Sequence, residues 1–395
     1  MKFPIYMDNN STTRVDSEVF KAMKPWFLEK YGNASSKDHS FGWEADAAVE
    51  YSRKQIGALI NAEGSEIIFT SGATESINLA HWGIAESYNN KGRRIITSAI
   101  EHSAVMDSLQ ALEKKGFEVI FLKVNNEGFI DIDQLKELVD NNTLLVSIMT
   151  ANNEIGLIND IETIGNICKE KNVFFHTDAT QAIGKIPFDL KALNADLVSF
   201  SGHKFYGPKG IGGLYINKSK KIKLFPRSFG GGQEHGLRSG TLNVPAIIGI
   251  GKAAEICKIK MQDESTKIEE LRNKLLKGIT DKLEDVKVNG SMNERLPNNL
   301  NLCFRYVKAE NIIMNIRDIA VSTGAACTSA SLKLNHVLKA IGLTGDEIKS
   351  SIRFGLGRFN TEEEVDYVIN RIVETINKLR SYSPEYILNQ KISLN

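Results

Sequence analysis

Three residues of this chain have the types and settings to do chemistry together: a lysine, a carboxylate and a thiol. Lys204 lies in Ser199-Phe-Ser-Gly-His-Lys-Phe-Tyr-Gly-Pro-Lys-Gly210, between a histidine and an aromatic in a glycine-rich turn just past an apolar run. A lysine desolvated there has its charged form disfavoured and becomes a Schiff-base nucleophile. Asp178 closes the apolar run Val173-Phe-Phe-His-Thr177. At the carboxyl end of a parallel strand, a carboxylate can hold a pyridine nitrogen protonated; its plainer reading is a helix cap for the next segment. Cys327 sits in Ser322-Thr-Gly-Ala-Ala-Cys-Thr-Ser-Ala-Ser331, among small polar side chains with little to pack. A thiolate that must reach more than one partner needs such a loop. Together the three imply pyridoxal phosphate chemistry that ends on sulfur.

Other residues fit the same site less decisively. Ser71-Gly-Ala-Thr74 follows an apolar strand and opens a helical pattern, which makes it an anion-binding turn or an ordinary helix cap. His102, after the strand at 94–98, is a second strand-end candidate or a capping residue. Arg353, in Ser350-Ser-Ile-Arg-Phe-Gly355, has the fork to pair with a carboxylate; otherwise it is a surface arginine on a strand. The remaining cysteines, Cys168, Cys257 and Cys303, lie in apolar or helical patterns without Cys-x-x-Cys or Cys/His spacing. They read as small core hydrophobes, and no metal site is expected.

The elements that must position these residues follow from periodicity. Short apolar runs at 66–70, 94–98, 117–121, 144–149, 173–177 and 196–200 alternate with helical patterns at 74–88, 103–114, 132–139 and 160–171. That alternation predicts a mostly parallel sheet covered by helices. Residues 244–285 form a long proline-poor helical stretch. Strands near 286–289, 299–304 and 351–355, with helices near 309–317, 335–341 and 361–380, give an α+β pattern. At 395 residues two domains are expected: a large one over 15–256 and a small one over 257–395 joined by 1–14. The net charge of +1 offers nothing for nucleic acid. No run reaches the ~18 apolar residues of a membrane span, and the start is charged too early for a signal peptide. A cytoplasmic protein is expected.

Taken in order, eleven segments resemble the cysteine desulfurases of the aminotransferase class V group, in the subgroup that supplies sulfur for iron–sulfur clusters. They are Tyr6-Met-Asp-Asn-Asn-Ser-Thr-Thr13, Tyr31-Gly-Asn-Ala-Ser-Ser36, Ser71-Gly-Ala-Thr-Glu75, Glu101-His102, Asn152-Asn-Glu-Ile-Gly156, Asp178-Ala-Thr-Gln181, Ser201-Gly-His-Lys204, Gly230-Gly-Gly-Gln-Glu234, Arg238-Ser-Gly-Thr241, Ala326-Cys-Thr-Ser-Ala-Ser331 and Ser351-Ile-Arg353. The resemblance implies the fold type I of pyridoxal-phosphate-dependent transferases (aspartate-aminotransferase-like), an α/β architecture with a large, mainly parallel seven-stranded sheet domain and a smaller α+β domain. It implies that Lys204 holds pyridoxal 5′-phosphate covalently and moves protons. Asp178 would bind the ring nitrogen and Gln181 the ring hydroxyl, while His102 would stack on the ring and act as acid and base. Ala73, Thr74, Ser201 and His203 would bind the phosphate, and Thr241 would reach it from the neighbouring subunit of a homodimer. Asn153 and Arg353 would hold the carboxylate of L-cysteine. Cys327 would take the sulfur as a persulfide, releasing L-alanine, and pass it to an iron–sulfur scaffold or another acceptor protein, tRNA thiolation included. The stretch 379–391 resembles the scaffold-contacting region, or is a frayed tail. Ser11, Ala34 and His235 stand where alanine, proline and arginine are usual. Rival readings are another pyridoxal-phosphate activity on this fold, such as a selenocysteine lyase or an aminotransferase, and a catalytically inert docking hub. Cys327 separates the first from a desulfurase.

Overall fold

The computed structural model describes residues 1–323 and 334–393. Cys327 lies outside the described residues.

The expected strand–helix alternation folds into one seven-stranded sheet. Its spatial order is Ile67–Thr70, Gly212–Ile216, Leu197–Ser201, Phe174–Asp178, Thr143–Ser147, Arg94–Ser98 and Glu118–Leu122. Only Gly212–Ile216 runs antiparallel to its neighbours. The other six therefore point the same way and deliver their carboxyl ends to one edge. The register sets Asp178 beside Ser199 and His176 beside Leu197, so the turns carrying Asp178 and Lys204 leave the sheet side by side. Strand Gly212–Ile216 went unread in the sequence because two glycines open it. Both are required by packing: a Cβ on Gly212 would stand 2.4 Å from the Phe200 carbonyl oxygen, and one on Gly213 equally close to the Phe200 ring.

Helices cover both faces. Apolar residues of Ser40–Ile60, Ile161–Glu170 and the first half of Val244–Thr280 close one side in a single cluster with Phe69, Phe175, Phe200 and Phe205. Ala73–Ser87 and Ser103–Glu113 close the other with Ile68, Leu145 and Leu214. Cys168, Cys257 and Cys303 are buried and free. Burial raises the pKa of all three thiols, to about 12 for Cys257 and about 11 for Cys303, so they stay protonated.

The helix Val244–Thr280 runs unbroken through position 257. Its residues up to Cys257 belong to the large-sheet core, whereas Ile268, Leu271, Leu275 and Ile279 join a second core. That core also takes Ile5 and Met7, the helix Glu362–Ser381 and a four-stranded sheet ordered Ser322–Thr323, Ser351–Gly355, Asn299–Phe304 and Val286–Val288. The N-terminal segment pairs with Ile319–Ala320, then crosses to the large sheet. Thr13 donates from both N–H and hydroxyl to the His203 carbonyl.

Candidate active site

A cavity of about 510 Å³ opens at the carboxyl edge of the large sheet. Its floor is the turn after Ile67–Thr70. Gly72 adopts φ +152°, which disfavours any residue with a Cβ; an added Cβ would stand 3.6 Å from the Ser201 hydroxyl. As N-cap of Ala73–Ser87 it supplies no side chain. The first-turn amides are left for an anion drawn to the positive helix end, with Thr74 and Ser201 lining the same space. Glu75 braces this turn by accepting from the Ser71 N–H at 2.6 Å and the Arg238 guanidinium at 3.0 Å. Burial opposes its charge, but hydrogen bonds from Ser71 and the Arg238 cation outweigh that and lower its pKa. His203 also lines the cavity, its Nδ1 3.0 Å from the Thr12 hydroxyl. Burial, then the Lys204, Lys209 and Lys185 ammoniums, push its pKa down to about 4. It is therefore neutral and offers an anion a hydrogen bond rather than a charge.

Lys204 stands on a 3₁₀ turn, Gly202–Lys204, at the end of its strand. Its Nζ donates to the backbone carbonyls of Asn10 at 2.6 Å and Ser11 at 2.7 Å. Burial and the Arg353 cation lower its pKa to about 8, with Asp178, Asp8 and Glu154 pulling the other way. The desolvated amine read from its setting is thus the one the fold produces. Asp178 is buried, and one of its carboxylate oxygens accepts from Thr180 N–H at 2.9 Å. Gln181 donates from Nε2 to the Asn10 carbonyl at 2.9 Å, while its Oε1 accepts from the buried Lys185 amine at 2.6 Å. His102 caps Ser103–Glu113: its Nδ1 accepts from Ala104 N–H at 3.1 Å, which leaves Nε2 to carry the proton of the neutral ring. Both the capping and the cavity-lining readings of His102 hold.

The structure brings Ala73, Thr74, His102, Asn153, Asp178, Gln181, Ser201, His203 and Lys204 to one cavity. Thr241 is exposed and outside that lining. Arg353 is not a surface arginine. It lies behind Ser11 and Asn153, and each carries a hydrogen bond from its guanidinium, at 2.7 Å to the Ser11 hydroxyl and 3.1 Å to the Asn153 carbonyl. It also pairs with the carboxylates of Asp8 and Glu154. Neither carboxylate was assigned a role from sequence, although both fall inside quoted segments. The only signal was a charged side chain next to Asn153 and another in the N-terminal motif. Glu101 was missed likewise: fully buried beside His102, it accepts from Met149 N–H at 2.9 Å. Burial, and then the charge of Asp178, raise its pKa well above the ordinary carboxylate range.

This lining fits pyridoxal 5′-phosphate by its chemistry. Amides and hydroxyls face the place for a phosphate, a buried carboxylate suits a ring nitrogen, and an uncharged amine is within reach of neutral pH. The Thr180 hydroxyl is a further buried polar atom of the cavity wall without a partner among the described residues. No group of three metal-ligating side chains occurs among those residues, and no helix there is long and apolar enough to cross a membrane.

Over residues 5–368 the chain matches the aminotransferase class-V family and belongs to it. Its cofactor is the pyridoxal 5′-phosphate of that family. The chain is 50% identical to a protein named cysteine desulfurase IscS from Anaeromyxobacter dehalogenans (strain 2CP-C), across 100% of this chain and 98% of that one. It is 48% identical to the cysteine desulfurase IscS of Rickettsia rickettsii (strain Iowa), across 99% and 95%. Among solved structures, a NifS-like protein superposes with a TM-score of 0.88 at 41% identity, covering 94% of this chain and 99% of its own. One described as SspA in complex with cysteine gives 0.79 at 35%, covering 90% and 100%.

Proposed function

We propose that this chain is a cysteine desulfurase that takes sulfur from L-cysteine, releases L-alanine and hands the sulfur on from Cys327. The observation that carries the reading is the convergence of the Lys204 amine, the Asp178 carboxylate and the anion turn 71–74 on one cavity. The bound cofactor supplies an electron-poor ring that can accept the electron pair of a broken bond at the substrate α-carbon. The protein's residues do the rest. Asp178 holds a proton at the ring nitrogen, and Gln181 and His102 fix the ring. Ala73, Thr74, Ser201 and His203 hold the phosphate, joined by Thr241 of a second copy in a homodimer. Lys204 Nζ, with a pKa near 8, takes and returns a proton without a large energetic gap at neutral pH.

Asn153 and Arg353 orient the substrate carboxylate. The Cys327 thiolate attacks the substrate sulfur: an S–S bond forms, the C–S bond breaks, and its electron pair stays with the carbon fragment. Two protons complete L-alanine, and Cys327 keeps the persulfide. Sulfur then moves by thiol exchange to an acceptor protein such as an iron–sulfur scaffold, or toward tRNA thiolation. The three other cysteines, protonated and buried, suit the reducing cytoplasm. The two packed cores support a large domain over 15–256 and a small one over 257–395 with 1–14, with the helix Val244–Thr280 shared between them.

The test is production of alanine and sulfide from L-cysteine in the presence of a thiol reductant. Equal amounts are expected from the unmodified enzyme. Cys327→Ala should keep the visible absorbance of the bound cofactor and lose sulfide and persulfide. Full desulfurase activity in that variant would remove the mechanism and leave another pyridoxal-phosphate activity in its place.

A further inference from the structure

The two residues read as ligands of the substrate carboxylate already share a carboxylate. Asn153 Nδ2 donates to Glu154 Oε1 at 2.9 Å, and Arg353 Nη1 donates to the same oxygen. The other terminal nitrogen of Arg353 is equally engaged, by Asp8 at 3.0 Å and the Ser11 hydroxyl at 2.7 Å. Among the described residues, its Nε is buried without a partner, as is Glu154 Oε2. An arginine has five N–H donors in a fixed fork. Here the terminal nitrogens are all in use, and one cation faces two anions.

A third carboxylate cannot simply be added. Two like charges this close in a partly buried site repel strongly. A single charge-assisted hydrogen bond does not offset that repulsion. An incoming carboxylate therefore has to exchange with a resident one. Asp8 is the poorer candidate to leave, because its Oδ1 also accepts from Ser322 at 2.8 Å. Glu154 has less to lose: among the described residues one oxygen has no partner, and the other bonds to the two groups a substrate would use. Its backbone is pinned, so that only the side chain has to move. Asn152 Oδ1 accepts from the N–H groups of Glu154 and Ile155 at 2.8 and 3.0 Å, and Asn299 and Asn301 donate to the Glu154 carbonyl at 3.2 and 3.1 Å. Gly156, at φ +73°, closes the turn where a Cβ would strike the Asn299 amide at 2.6 Å.

We propose that the Glu154 carboxylate is an internal stand-in for the substrate carboxylate, held by Asn153 and Arg353 in the free enzyme and displaced when a small carboxylate ligand binds. This rests on the reading of Asn153 and Arg353 as carboxylate ligands. Glu154 is then a specificity-setting residue. It keeps the Arg353 charge compensated between turnovers and ensures that only ligands bearing a carboxylate gain entry to the pair.

Propionate tests this without turnover, since it has the carboxylate but neither amine nor thiol. In calorimetric titration of the cofactor-loaded enzyme, Glu154→Gln should bind propionate roughly tenfold more tightly, because one of two competing anions is gone. Propionamide should show no such gain. With L-cysteine the same variant should lower KM more than it changes kcat. Unchanged or weaker propionate binding in Glu154→Gln would overturn the proposal. A second measurement needs no variant: in crystals of the unmodified enzyme with propionate, the ligand should sit on Arg353 and Asn153 with Glu154 swung away. An intact Glu154–Arg353 pair with propionate bound elsewhere would equally overturn it. Absence of desulfuration by the unmodified enzyme would instead strike the functional reading, which the propionate measurements do not involve.

Discussion

Two arginines in this molecule are equally buried, with side chains about 5% exposed, and are held in opposite ways. Arg53, on the helix Ser40–Ile60, meets Glu234 fork to fork at 2.8 and 2.9 Å. It adds the Ile67 carbonyl at 2.6 Å and stacks over the Phe69 ring at 4.6 Å. Glu234 in turn accepts from Phe69 N–H at 2.6 Å. Burial works against the Arg53 charge, yet the Glu234 bond more than compensates and its pKa is raised. One buried cation meets one buried anion whose two oxygens are both satisfied, and the Arg53 Nε adds the half-exposed Glu50 carboxylate at 3.0 Å. Arg353 instead splits its terminal nitrogens between two largely buried carboxylates from separate segments, and among the described residues its Nε and one Glu154 oxygen have no partner. A fork-to-fork pair locks the strand Ile67–Thr70 to the glycine-rich loop, whereas a cation whose fork is split between two anions is built to exchange.

The largest effect should come from opening the fork-to-fork pair. Glu234→Gln leaves a buried cation with only the half-exposed Glu50 to compensate it, which costs up to about 3–5 kcal/mol. The measurement is the denaturant midpoint, and propionate affinity should not move with it. Arg353→Lys probes the other member. It keeps the charge but loses the fork, so KM for L-cysteine should rise by roughly tenfold or more. The unfolding midpoint should fall less than for Glu234→Gln, because the removed contacts leave two carboxylates that can turn toward the cavity. Equal stability losses in both variants would erase the distinction.

The contrast also marks how far the sequence could be read. The strand ends at Asp178 and Lys204 were legible because an apolar run followed by a lone charged residue is a local pattern, and the parallel register then brings those ends together. The strand Gly212–Ile216 was not, since its glycines are demanded by the Phe200 carbonyl and ring, which are distant in sequence. Arg353 could be read as a carboxylate partner from its fork, with a surface arginine as the plainer alternative that the resemblance set aside. That it meets Asp8 and Glu154, 345 and 199 positions away, depends on the small sheet bringing Ser351–Gly355 under the N-terminal segment. Glu234 sat in a quoted segment without a role for the same reason: its partner is 181 positions earlier.

At Lys204 the expected shifts are modest but carry opposite signs. Lys204 feels both members of the over-supplied cluster: the Arg353 cation lowers its pKa, and Asp8 and Glu154 raise it. In the cofactor-free protein, the rate of acylation at Lys204 followed against pH should have its midpoint near 8 rather than at the ordinary 10.5. Arg353→Met should move that midpoint up by removing a repelling charge. Glu154→Gln should move it down by removing an attracting one. Glu234→Gln should leave it in place, since neither Arg53 nor Glu234 is among the groups that shift Lys204. The same shift links to stability. With the folded pKa near 8 and the unfolded one near 10.5, the unfolded chain binds more protons between these values, so this lysine makes the protein more stable as pH rises through that window. Movement of the Arg353→Met and Glu154→Gln midpoints in the same direction would show that desolvation alone, and not the charge balance around Arg353, sets the state of this amine.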